Sequence, residues 1–297
     1  IRTGQDSFYV LEDNCRTPSG VSYMLENREI MMKMFPDLFH TNRVLRVDDY
    51  PTRLLQTLMS LAPKKCENPV PTVVLLTPGH LNSAYYEHTF LSDQMGIEMV
   101  ESSDLYIDDD LLFMKTVDGP KRVDVVYRRI DDAFLDPLSY NPDSVIGIPG
   151  IMQAYKTGGV NICSAPGCGI ADDKAIYIYV PEMIKFYLGE TPILENVKTW
   201  QCEKSDELNY VLDNIENLVV KEVDGSGGYG MLIGPKSSKS QIEEFIIKLK
   251  NNPKGYIAQP TLDLSSSPTL INNEISGRRV DLRPFCLIGK QVQLCPG

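Results

Sequence analysis

Apolar and polar residues alternate from Ser7 to Asn14, which predicts a strand; Thr17, Pro18, Ser19 and Gly20 then mark a turn, and Tyr23 to Met34 carries a helical pattern. A connection rich in Pro, Lys and Asn, Ala62 to Thr72, gives a first boundary. From Val73 the rhythm becomes strand (Val73 to Thr77), turn (Pro78, Gly79), helix (about Ser83 to Met95) and strand (Ile97 to Val100). That order predicts a parallel, doubly wound unit. A further strand, Val123 to Tyr127, ends on Arg128, Arg129, Asp131 and Asp132. In open parallel sheets such strand ends line the ligand crevice.

A second boundary falls at Ala165 to Ala171, where Pro, Gly and small residues precede a helical segment around Asp173 to Leu188. Beyond it Leu208, Val211, Leu212 and Ile215 recur at helical spacing, and Leu218 to Asp224 reads as a strand. The run GSGGYG, Gly225 to Gly230, comes next, then the short apolar stretch Met231 to Ile233. A helix follows that opens with a capping box at Ser240 and Glu243 and buries Ile242, Phe245, Ile246 and Leu249. The pattern thus predicts an α/β chain with α+β character in its C-terminal part. No internal repeat or low-complexity tract interrupts it.

Composition narrows the function classes. The 297 residues suffice for about two domains, and 42% hydrophobic content matches full-sized cores. A formal charge of -11 with no basic patch argues against nucleic acid as a partner. No apolar run approaches the roughly 18 residues of a membrane span, and IRTGQDSFYV lacks the features of a signal peptide, so a cytoplasmic location is expected. The seven cysteines form no C-x-x-C pair and are odd in number, which predicts reduced, mostly buried thiols and no zinc site. His40, His80 and His88 are too scattered for a relay. The chain opens without Met in what reads as a strand and stops directly after an apolar one, so further sequence is expected at both ends.

Gly225, Gly227 and Gly230 satisfy G-x-G-x-x-G, but a dinucleotide-binding turn needs a helix next, and here an apolar stretch ending in Gly234 and Pro235 follows instead. The run therefore predicts a flap between antiparallel strands, able to set backbone N–H groups against phosphate oxygens. A protein kinase would carry its lysine after such a loop, with H-R-D and D-F-G segments; none is present. Lys221 lies before the loop with an apolar-flanked stem, pointing either to water or to whatever the flap covers. Glu12 and Asn14 leave one face of the first strand, with Asp13 opposite. Two oxygen donors side by side suit Mg²⁺ shared with substrate phosphates, although Glu-Asp-Asn also suits the start of a turn. Arg16 extends the face, and its guanidinium could brace a phosphoryl group. Arg279, Asp281 and Arg283 alternate on one expected strand, as cleft residues or as a solvated edge. Asn82 and Ser83 at a helix start could hold an anion, and Arg128 with Arg129 could clamp a carboxylate.

Several long runs resemble a known family. LEDNCRTPSGVSYMLENR (Leu11 to Arg28) is similar to the N-terminal signature of the circularly permuted ATP-grasp proteins of type 2. So, in order, are TPGHLNSAYYEH (Thr77 to His88), VVYRRIDDAFLDPL (Val125 to Leu138), GIADDKAIYIYVPEMIKFYLGE (Gly169 to Glu190), VVKEVDGSGGYGMLIGP (Val219 to Pro235) and RRVDLRPF (Arg278 to Phe285). The group is related to glutathionylspermidine synthetase-like ATP-grasp ligases. The resemblance implies a permuted ATP-grasp with a central doubly wound parallel-sheet domain. Its expected parts are a permuted N-terminal segment (1–65), a pre-ATP-grasp-like α/β domain (66–168) and a nucleotide-binding domain (169–297).

The implied cofactors are ATP and Mg²⁺. Glu12 and Asn14 match the Glu-x-Asn metal ligands, and Arg16 the arginine that follows them. A second acidic ligand would lie upstream of Ile1. Lys174 and Lys221 match the two ATP-binding lysines. Glu222, Gly225, Ser226, Gly227 and Gly228 are expected at the nucleotide, with Gln259 at the hinge against adenine. Arg16 and Arg283 are expected in catalysis; Asn82, Ser83, Arg128, Arg129, Arg279 and Asp281 are expected around the substrate. The implied reaction is ATP-dependent joining of a small-molecule or peptide carboxylate to an amine through an acyl phosphate. The alternative is a non-catalytic nucleotide-binding scaffold of the same fold. NAD-dependent redox chemistry is a third and weaker fit.

Overall fold

The computed structural model describes residues 1–225 and 230–296. Contacts group the chain into two units rather than three segments: residues 1–14 with 169–283, and residues 15–168 with 284–297. Residues 62–72 are a connection inside the second of these.

The second unit is built on a parallel sheet in the order Glu98–Val100, Val73–Leu76, Val125–Arg128, Asn161–Cys163. Its inner strands are near-continuous apolar runs because both faces are covered. Val74, Leu76 and Val126 enter one core with Leu112, Ile151 and Ile162. Val73, Leu75 and Val125 enter another with Val21, Leu54, Leu58 and Leu91, from the helices Val21–Met34, Tyr50–Ser60 and Tyr85–Met95. A three-stranded antiparallel sheet, Leu105–Asp108, Leu111–Met114 and Lys121–Val123, covers the first face.

In the first unit the architecture changes to helices on one face of an antiparallel sheet. The strands run in the order Trp200–Gln201, Tyr256–Pro260, Leu218–Glu222, Leu232–Ile233. Leu218, Val220 and Ala258 point into one core with Val211, Ile215, Ile242, Phe245 and Leu249. The helix Lys239–Asn251 supplies the last three, and its capping box is Ser238 with Gln241, two residues ahead of the expected pair. Ser238 is in extended backbone, φ -71° and ψ 160°, as an N-cap must be, so Ser240 falls inside the first turn. The expected first strand is short: Tyr9–Val10 pairs in parallel with Glu195–Asn196, and Phe8 makes an isolated bridge with Arg2. The hairpin Ser266–Ile271 with Glu274–Arg279 completes this unit.

Of the seven cysteines only Cys202 is buried, which corrects the expectation of mostly buried thiols; none of them is in a disulfide. Among the described residues no helix is long and apolar enough to cross a membrane.

Candidate functional site

The glycine run joins two antiparallel strands, since Val219 pairs with Ile233 and Val220 with Leu232. Ser226, Gly227 and Gly228 lie outside the described residues; Gly225 and Gly230 bound them. Gly230 has φ +66°, where a side chain is strained, and an added Cβ there would run into the Glu222 carboxylate. Glu222 also hydrogen-bonds Tyr256 on the helix-covered face. It therefore braces the root of the loop.

Lys221 leaves the opposite face. Val219 and Lys221 are two apart, and Gln259 pairs with Val219, so Gln259 is the diagonal neighbour of Lys221 on that face. Lys221 Nζ donates to Gln259 Oε1 at 3.0 Å, and Gln259 Nε2 donates to Thr199 Oγ1 at 3.0 Å. Gln259 lies within its strand rather than after it and is buried, and both ends of its amide are engaged in orienting the lysine. Sequence reasoning missed Thr199 altogether, because nothing local ties residue 199 to residue 259.

Lys174 sits in a turn between short 3-10 segments rather than on a helix. Its backbone N–H donates to Val223 O at 3.0 Å and its Nζ to Gly225 O at 2.6 Å. Asp173 closes that turn by accepting from Ala175 N at 2.7 Å. Lys174 is thereby fastened twice to the strand end that enters the glycine loop.

Electrostatics bring Glu12 into the same group. Burial pushes the Lys221 ammonium below its ordinary range; Glu12 opposes that and Lys174 adds to it. Burial, then Asp172 and Glu12, raise the Asp13 carboxyl. Glu12 and Asn14 are exposed and Asp13 is half-buried, so the alternation continues past the end of the paired strand. Asp13 lines a separate groove of about 310 Å³ walled by Val10, Val180, Ile184 and Leu188. Among the described residues no three His, Cys, Asp or Glu side chains form a ready metal cluster. The exposed side-chain oxygens of Glu12 and Asn14 fit Mg²⁺ in its usual mode, one or two protein oxygens with the rest from phosphates and water. Glu12 and Asn14 would supply those oxygens.

The expected substrate residues are placed differently. Arg128 and Arg129 do not form one clamp, because the strand ends at Arg128 and each guanidinium is held by a different carboxylate. Arg128, 1% exposed, pairs with Asp132 at 2.7 Å and donates to Ser164 O and Ile130 O at 2.7 Å. Arg129, 4% exposed, pairs with Glu87 and donates to Tyr127 Oη. Asn82 Oδ1 accepts from Ala84 N at 2.9 Å, so the N–H offered to an anion there is already used; Ser83 is exposed beside it. The strand carrying Arg279 ends at that residue, which corrects the shared face of Arg279, Asp281 and Arg283. Arg279 pairs with Asp263, and Arg283 with Asp281, in exposed ion pairs. Arg16 Nη1 pairs with Asp131 at 2.7 Å.

The family described as circularly permuted ATP-grasp type 2 matches residues 1–297. The chain belongs to this family. An uncharacterized protein of Synechocystis sp. is 52% identical over all of this chain and 62% of its own length. A protein of Frankia casuarinae named "Putative glutamate--cysteine ligase 2-2" is 37% identical over all of this chain and 34% of its own length. This chain therefore spans only part of these relatives. A glutathione synthetase like-effector from Globodera pallida, solved in its apo form, aligns with a TM-score of 0.51 and 13% identity. The alignment covers 90% of this chain and 59% of that one, a likeness of fold alone. The mixed sheets described above are accordingly those of an α/β permuted ATP-grasp.

Proposed function

We propose that the whole protein is an ATP-dependent ligase that joins a carboxylate to an amine. The observation that carries this reading is the convergence of Lys174, Lys221 and Glu12 beside the glycine loop, with Lys221 held by Gln259. The Lys174 ammonium disfavours the charge on buried Lys221, and a bound polyanion would relieve that cost. The Frankia relative, matched over 34% of its own length, is named a putative glutamate--cysteine ligase, and a ligase is the class proposed here.

In the proposed chemistry a substrate carboxylate oxygen attacks the γ-phosphorus of ATP, and ADP leaves. The amine then attacks the acyl carbon, phosphate leaves with the C–O bond, and the nitrogen gives up a proton. Mg²⁺, when bound, supplies charge neutralisation at the phosphates. Lys174 and Lys221 hold and neutralise phosphate oxygens, Glu12 and Asn14 offer metal oxygens, and Arg16 steadies the group in transfer.

Phosphate release by the whole protein, with ATP, Mg²⁺ and mixtures of acids and amines, tests the reading. Release that requires both an acid and an amine is the expected result. Nucleotide binding without any release would favour the scaffold alternative.

A further inference from the structure

At one end of the parallel sheet in the second unit, three charged side chains hold the segment 16–22. Asp131 accepts from Arg16 Nη1 at 2.7 Å. Arg129 Nη2 donates to Ser19 Oγ at 2.5 Å. Glu87 Oε2 accepts from Gly20 N at 2.7 Å, Ser22 N at 3.1 Å and Ser22 Oγ at 2.9 Å. Gly20 is the N-cap of the helix Val21–Met34, with φ 112°, and has no side chain with which to cap it. Glu87 does so from another helix, placing a carboxylate against the positive end of the dipole.

Glu87 and Arg129 are 1% and 4% exposed. A buried ion pair of this kind is weak evidence for stability, because desolvation offsets most of the attraction. What the pair provides here is a fixed geometry. Two residues with no sequence proximity to the segment specify where its backbone turns into the helix, and Asp131 fixes the direction of Arg16. Burial alone would raise the Asp131 carboxyl, yet the bonds from Arg16 and Ala133 hold it below the ordinary range, so it stays ionised and paired.

We propose that Asp131, Glu87 and Arg129 form a cradle that positions Arg16, Asp131 directly and the other two through Ser19, Gly20 and Ser22. The inference rests on the reading that Arg16 steadies the phosphoryl group. It reassigns Arg129 from substrate clamp to positioning residue.

Asp131→Asn, Arg16→Ala and the double variant of the whole protein test the cradle in two ways. Thermal unfolding reads the tether: each single change lowers the midpoint, and the double change lowers it no further than the larger single one. ATP-dependent phosphate release reads the positioning. Asp131→Asn lowers kcat roughly tenfold with KM for ATP unchanged, and has no added effect beside Arg16→Ala. Asp131→Glu recovers part of the loss. Additive unfolding shifts overturn the tether, and additive losses in kcat or a change confined to KM overturn the positioning role. A wild-type protein that releases no phosphate contradicts the functional reading and the cradle's part in it, while the unfolding cycle still separates that failure from a missing tether.

Discussion

Both units carry buried or half-buried charge, and they treat it in opposite ways. In the second unit Arg128 is matched by Asp132 and carbonyl oxygens, Arg129 by Glu87, and Asp136 by the N–H groups of Leu138, Gly150 and Met152. In the first unit Lys221 rests on a neutral amide with a second lysine in its field, and Asp13 faces Asp172 and Glu12. Charge matched by opposite charge builds a frame. Like charges gathered this closely leave free energy to be gained from a ligand that brings compensating charge.

The largest expected effect is on the frame. Glu87→Ala leaves Arg129 buried without its carboxylate and strips the cap from Val21–Met34, and denaturant unfolding should show a loss of about 3–5 kcal/mol. A loss under about 1 kcal/mol would erase the contrast between the units. Lys221→Ala should act the other way, lowering ATP turnover by roughly 100-fold while the unfolding midpoint changes little. Near-normal turnover would remove Lys221 from the site.

His88 gives the frame a pH signature. It is 1% exposed, its Nδ1 lies 2.9 Å from Thr77 Oγ1, and burial, with Arg129 nearby, brings its pKa down to about 4. Between that value and the ordinary 6.5 the unfolded chain binds a proton that the folded chain does not. The stability His88 confers is thus present above about 6.5 and lost as the pH falls towards 4, by on the order of 2 kcal/mol. Unfolding midpoints across that window should flatten in His88→Gln; an unchanged slope would assign the acid sensitivity elsewhere. Smallest of all, Gln259→Leu should weaken ATP binding roughly fivefold by releasing Lys221 from its tether to Thr199. Calorimetry on that variant would report unchanged affinity if the tether were incidental.

The sequence made some of this legible and hid the rest for physical reasons. The glycine run stood out as a flap because the residues after it, Met231 to Pro235, are too few and too apolar to open a helix, and the pairing of Val219 with Ile233 agrees. The parallel sheet was legible because strands covered on both faces must be apolar throughout. Arg128 and Arg129 misled, since charge at a strand end signals a crevice only while its partners are unknown, and those partners lie at residues 87, 132 and 164. The bond between Lys221 and Gln259 was hidden for a related reason: their diagonal relation depends on a strand register that the chain settles 38 residues away.

The central claim is that Lys174, Lys221 and Glu12 form one site for Mg²⁺ and ATP. Calorimetric titration of the whole protein and its Glu12→Ala variant with ATP, with and without Mg²⁺, tests it most directly. The account predicts binding that requires Mg²⁺ in the wild type and is weakened by the substitution. Binding indifferent to both Mg²⁺ and Glu12, or no binding at all, would contradict it.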